Sequence, residues 1–196
     1  VDLVHGELIV SSSSSDTSDR AVNFYALASL QGSGTIDVAP VRRISGAATL
    51  LVDPRGLALD LDSDRLIVVD RDGAVSFFAR NANGNVAPLN RIAGGNTQLG
   101  AGQEIQILDD GELLVGTDGA PSSKLVFHDV EATGNASPVR EIFGAATQLT
   151  FSLGVASSRA RDCAWAKSVD GCLFRDNFEG SNLCDWSAAT GATPCP

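Results

Sequence analysis

GNVAPLNRIAGGNTQL, residues 84–99, decides the fold, because the chain repeats it: GNASPVREIFGAATQL at 134–149 and VAPVRRISGAATLL at 38–51. Pro40, Pro88 and Pro138 recur at intervals of 48 and 50 residues, and Ile44, Ile92 and Ile142 keep the same step. So do Gly46, Gly94 and Gly144, then Thr49, Thr97 and Thr147, then Leu51, Leu99 and Leu149. A fixed period of this length is the mark of a repeat architecture, in which each unit buries its apolar face on its neighbour.

Upstream of each copy of this block lie two short apolar runs. The first is Leu8-Ile9-Val10, Leu66-Ile67-Val68 or Leu113-Leu114-Val115. After a polar turn comes an alternating run: Val22-Asn23-Phe24-Tyr25, Val75-Ser76-Phe77-Phe78 or Leu125-Val126-Phe127-His128. Alternation of period two puts Phe24, Phe77 and Phe127 on the same strand face as Val22, Val75 and Leu125. Downstream comes a further strand: Gly56-Leu57-Ala58-Leu59-Asp60, Glu104-Ile105-Gln106-Ile107-Leu108, or Gly154-Val155-Ala156-Ser157. Turns such as Asp70-Arg71-Asp72-Gly73 and Asp109-Asp110-Gly111 supply residues that tolerate positive φ.

The expected fold is therefore all-β: three four-stranded repeats reading as β-propeller blades, at about 6–56, 57–104 and 105–157 within residues 1–158. A β-sandwich is the structural rival, but it needs no such regular repetition. Propellers close with four to eight blades, so three are too few and half of a six-bladed ring is the natural completion. The first unit lacks a leading strand and the last ends with a spare one. Two chains exchanging that strand would close the ring, and end-to-end addition would give a fibre.

Composition sets the outer limits. The 196 residues are 43% hydrophobic with 20 Gly, and no apolar run approaches the roughly 20 residues of a membrane helix. The formal charge of −10 repels phosphate backbones and anionic lipid heads, so neither nucleic acid nor membrane insertion is expected. The chain opens on Val1 without Met, as a processed secreted protein or a piece of a longer chain does. Residues 159–196 read as an appended tail carrying Cys163, Cys172, Cys184 and Cys195. An even number of cysteines in one short loop-like segment points to two disulfides in an oxidising, extracellular or cell-surface compartment. Three pairings are open, with nearest neighbours preferred. The cysteine spacing does not suit zinc, and the tail has no His.

Few residues carry chemistry. Asp60, Asp62 and Asp64 form D-x-D-x-D, whose alternating carboxylates offer oxygen ligands to Ca²⁺, though without the Gly and Glu of an EF-hand loop. They are the acid cluster that a Ca-dependent hydrolase or lactonase would use. No catalytic residue and no other cofactor is assigned. His128 occupies the strand position of Tyr25 and Phe78, which makes it a packing residue rather than a ligand. His5 lies near the terminus. Ser11 to Ser15 read as a polar loop and a modification candidate. Asn135-Ala136-Ser137 is a glycosylation sequon within the repeat's own turn. Arg42, Arg43, Arg159 and Arg161 are expected to pair with local carboxylates.

The block Gly84-Asn85, Pro88, Ile92, Gly94, Thr97 and Leu99, with Pro54, Gly56, Leu57, Ala58, Leu59 and Asp60, resembles bacterial NHL-like or beta-propeller-repeat proteins over residues 6–158. The second copy departs, with Gly102, Glu104 and Gln106 in place of Pro54, Gly56 and Ala58. The resemblance implies a propeller and leaves the role open. NHL-like lyases use a histidine-rich metal centre, and two histidines do not supply one. Asn177-Phe178-Glu179-Gly180 with Asp185-Trp186-Ser187 resembles the "F-E-x-G…W-S" segment ending many secreted gammaproteobacterial proteins, which implies export. A cap in which Trp165, Phe174, Phe178 and Trp186 cover a propeller surface is compatible with it. The reading leans away from an enzyme and toward an extracellular binding or assembly module. Its partner would be a second copy of itself or an unknown extracellular protein or glycan, and the alternative is a structural fibre subunit.

Overall fold

The computed structural model describes residues 1–14, 19–118, 123–149 and 154–156. Its strands form three antiparallel sheets in chain order. The first holds β1 (Glu7–Ser12), β2 (Ala21–Ala26) and β3 (Arg42–Ile44). The second holds β4 (Pro54–Asp60), β5 (Arg65–Asp70), β6 (Ala74–Ala79) and β7 (Asn90–Ala93). The third holds β8 (Gly102–Ile107), β9 (Glu112–Thr117), β10 (Lys124–Asp129) and β11 (Arg140–Ile142). Every strand pairs with its neighbour in sequence, so each sheet is an up-and-down meander. These are propeller-type blades.

The pattern of β5 shows how the sheets stack. Leu66 and Val68 pack with Val22, Phe24 and Ile44 of the first sheet. Ile67 and Val69 pack with Ile105, Ile107, Leu113 and Val115 of the third. A strand with protein on both faces must be apolar throughout, which is why Leu66-Ile67-Val68-Val69 is an unbroken run. Val22 and Phe24 share one face, and so do Val75 and Phe77, as the alternation requires. At roughly 1.5–3 kcal/mol for each large side chain removed from water, these two inter-sheet layers dominate the fold's stability.

Glycine lets the innermost strands converge. A Cβ on Gly56 of β4 would stand 2.7 Å from the Glu104 Cα and 2.8 Å from the Ile105 nitrogen of β8. Both strands also shift register next to this approach, β4 between Pro54 and Leu57 and β8 between Gly102 and Glu104.

Three sequence expectations need correction. Sheet and repeat are out of phase by one strand, because the segment at Gly56–Asp60 pairs forward with β5 and opens the second sheet. The first sheet consequently has three strands rather than four, and on the edge of β1 that β4 occupies on β5 the described residues supply only a single bridge, from Asp2 to Glu7. The counterpart segment Gly154–Ala156 forms no strand. Ser11 and Ser12 belong to β1 rather than to a loop. The cysteines, Arg159, Arg161, the F-E-x-G segment and the four tail aromatics lie outside the described residues.

Candidate functional site

The block that defines the repeat builds the joints between sheets. After β3, β7 and β11 the chain makes a glycine-initiated 3-10 turn: Ala47–Thr49, Gly95–Thr97 and Ala145–Thr147. Gly46, Gly94 and Gly144 stand at φ 115, 134 and 114, a region that favours glycine. The Thr hydroxyl donates back to the glycine carbonyl at 2.7, 2.8 and 2.7 Å. It also accepts the N–H two residues on, from Leu51, Leu99 and Leu149. Gly, Thr and Leu recur because one turn uses all three.

The next sheet clasps that turn. The Asn85 carboxamide oxygen accepts the Ala48 N–H at 2.7 Å, and Asn135 accepts the Asn96 N–H at 2.8 Å. Beside each clasp runs a two-bond parallel bridge. Ser45 N–H donates to the Gly84 carbonyl at 3.1 Å and Gly84 N–H to the Arg43 carbonyl at 2.6 Å. Ala93 N–H donates to Gly134 at 2.9 Å and Gly134 N–H to Arg91 at 2.8 Å. A third bond completes each joint: Arg42 donates to the Ala82 carbonyl at 2.7 Å and Asn90 to the Ala132 carbonyl at 2.8 Å. The sequon Asn135 is thus a joint residue.

The third sheet presents the turn half of this joint again. Ile142 is 42% exposed, whereas Ile44 and Ile92 are fully buried. Phe143 is half exposed. A Cβ on Gly144 would meet nothing within 4 Å, whereas on Gly46 it would strike the Asn85 carboxamide at 2.5 Å. Arg140 lies over the Phe127 ring, 4.1 Å from its centroid, as Arg42 lies over Phe24 at 3.3 Å. This open face, with the edge of β1 beyond the Asp2–Glu7 bridge, is the candidate interaction surface.

A groove of about 800 Å³ adjoins it, lined in part by Arg71, Asp72, Gln98, Lys124, Glu141 and Phe143. Its charges are used in pairs. Lys124 Nζ contacts Gln98 at 2.8 Å and Glu141 at 3.1 Å, and Arg91 meets Asp72 at 3.2 Å. Burial and then the neighbouring Asp70 carboxylate push Asp72 above the usual carboxylate range, against the pull of Arg91.

The D-x-D-x-D acids do not converge. Asp60 accepts from both Nη2 and Nε of Arg65 on one oxygen, Oδ2, at 2.8 and 3.1 Å, and caps the turn through the Ser63 N–H. Burial raises its carboxyl, and the bonds from Arg65 and Ser63 outweigh that and hold it below the usual range. Asp64 occupies the turn at φ 51. Among the described residues no group of three His, Cys, Asp or Glu is placed to hold a metal ion. The guanidinium of Arg65 neutralises Asp60, the most buried of the three acids. His128 is fully buried, with Nε2 2.9 Å from the Thr97 carbonyl. A carbonyl only accepts, so Nε2 carries the proton and the unpartnered Nδ1 is bare.

Sequence reasoning missed two arrangements. Asp70, fully buried, accepts the Val52 and Asp53 N–H groups at 2.6 Å each and so fixes the crossing from first to second sheet. Asp2, Glu7, Arg42 and Arg80 form a buried network. Arg80 pairs with Asp2 and, at 2.6 Å, with Glu7, and Glu7 takes Arg42 in a two-point contact. His5 Nδ1 adds a contact to Asp2 at 3.0 Å. The Asp70 position is legible in retrospect as an acid ending an apolar strand. The network joins residues 78 positions apart and leaves no local signal.

The protein is built of propeller-type antiparallel sheets. Among solved structures it is similar to the WD40 beta propeller domain of Doa1, at 15% identity and TM-score 0.49, over 72% of this chain and 38% of that one. No protein-family model and no curated protein matches it.

Proposed function

We propose that this chain is a non-enzymatic assembly and binding module that acts outside the cytoplasm and associates with further copies of itself by strand addition. The observation that carries this reading is a matched pair of ends. Beyond the Asp2–Glu7 bridge, the edge of β1 has no strand partner among the described residues where β4 and β8 complete the other two sheets, and the segment Gly154–Ala156, their counterpart in the third repeat, forms no strand. An open strand edge recruits another chain's strand through backbone hydrogen bonds. Two chains of three sheets make six, within the range in which propellers close.

The extracellular part of the proposal rests on the four clustered cysteines and on the F-E-x-G…W-S and NHL-like resemblances. The groove at Lys124, Glu141 and Phe143 is the surface offered to a further protein or glycan. Native mass, measured by light scattering on the oxidised protein after size exclusion, tests the reading. A value near twice 20.3 kDa is expected for the closed ring. A ladder of larger species would favour the fibre subunit, for which the same open edges speak. A species fixed at 20.3 kDa at all concentrations overturns self-association.

A further inference from the structure

We infer that the outer face of the third sheet is a joint awaiting the first sheet of a second copy, with Asp37 of that copy clasping the turn at Gly144. This rests on the self-association proposed above and specifies which surfaces meet and in what order. The two joints within the chain are the template, since each repeats the same clasp, bridge and side-chain-to-carbonyl bond. The turn half is present a third time. Gly144 holds φ 114 with open space where Gly46 and Gly94 meet an Asn side chain. Ala146 takes the place of Ala48 and Asn96, whose N–H groups are clasped, and Arg140 takes the place of Arg42. Ile142 extends the apolar layer that Ile44 and Ile92 bury completely.

The clasping half belongs to the first sheet. Matching Gly84-Asn85-Val86 with Gly134-Asn135-Ala136 places Ile36-Asp37-Val38 at the same point before β3. Asp37 is exposed and stands where Asn85 and Asn135 provide their clasping oxygen. A carboxylate accepts a backbone N–H about twice as strongly as an amide oxygen does, which suits a contact between chains. Val38 stands where Val86 packs on the layer between first and second sheets. Ile36 departs from the template, because Gly84 and Gly134 hold φ of 80 and 62 and Ile36 does not. The parallel bridge is therefore not carried over, and the clasp and the apolar layer are. The order is head to tail, third sheet to first.

The test is complementation between two surface variants of the full chain, Asp37→Ala and Ile142→Asp. Both positions are exposed in the single chain, so unchanged circular dichroism is expected for each. Each variant alone should shift the mass from twice 20.3 kDa to 20.3 kDa, because both joints of the pair are damaged. Mixed, they should recover a heterodimer, since one of its two joints then combines an intact Asp37 with an intact Ile142. A wild-type chain that is already 20.3 kDa overturns both this inference and the self-association beneath it. A wild-type dimer indifferent to both substitutions, or variants that mixing does not rescue, overturns the joint and leaves self-association standing. If residues 158–196 of the same chain occupy the face instead, Ile142→Asp lowers the melting temperature of a chain that never exceeds 20.3 kDa, which also overturns it.

Discussion

His128 shows how one repeat position can take different chemistry. It stands where the other repeats have Tyr25 and Phe78, and the alternation correctly makes it a packing residue. What the pattern does not show is its bond to Thr97, because that partner lies on the neighbouring sheet. Burial lowers its pKa below 6.5, against smaller upward pulls from the Thr97 carbonyl and Glu141. A histidine whose folded pKa is depressed contributes no pH dependence well above 6.5. As pH falls through 6.5 the unfolded chain takes up a proton that the folded chain resists, so stability is lost on the acid side. His128→Phe, which copies Phe78, should remove that loss between pH 6.5 and 5 while changing stability at pH 8 by no more than about 1 kcal/mol. Denaturant midpoints across that range decide it. An unchanged acid slope would place the titration elsewhere.

The joint between sheets is the element-scale unit, and it was half legible. Recurrence of Gly, Thr and Leu marks the turn, and recurrence of Gly-Asn at 84–85 and 134–135 marks its clasp, but the two lie about 38 residues apart and meet only in the fold. The D-x-D-x-D motif reads in sequence as a set of alternating acids, whereas in the fold Arg65, one residue past Asp64, pairs with Asp60 and with Glu131, 66 residues on. A double-mutant cycle measures the clasp. Asn135→Ala should cost about 1 kcal/mol, the worth of one exposed hydrogen bond. Gly94→Ala should cost about 2 kcal/mol or more, since the new Cβ meets the Asn135 carboxamide at an unfavourable φ. In the Asn135→Ala background the Gly94→Ala penalty should shrink, because the collision is gone and the strain in φ remains. Equal penalties in both backgrounds would mean that the two residues do not share a contact.

At the scale of the whole molecule, repetition specified the number of sheets and their order, since each apolar run had to be buried on the next. Repetition was silent on the strand phase, because a strand following each block can as readily close one sheet as open another. It was also silent on the buried ions that tie the chain's beginning to its second sheet. Removing Arg80 should leave Asp2 and Glu7 as poorly compensated carboxylates, so Arg80→Met is expected to cost about 3 kcal/mol or more at pH 7. For Asp2, burial raises the carboxyl but the His5 and Arg80 bonds outweigh it, and for Glu7 the Arg42 bond leads, so both sit below their ordinary 3.8 and 4.5. A carboxylate with a depressed folded pKa contributes stability above its unfolded value and loses it as pH falls. The deficit of Arg80→Met should therefore narrow below about pH 4 as these groups protonate. Paired thermal melts at pH 7 and pH 3.5 test this, and a deficit that does not change with pH would assign the loss to packing alone.

The one-strand offset between repeat and sheet also governs the order in which the chain can bury its apolar faces during synthesis. The first three strands emerge before anything exists to cover Phe24, because their buried face rests on residues 66, 68 and 78. The first complete four-stranded sheet is the second one, finished only when residue 93 appears. At roughly 5–20 residues per second the leading strands wait several seconds with their apolar side in water.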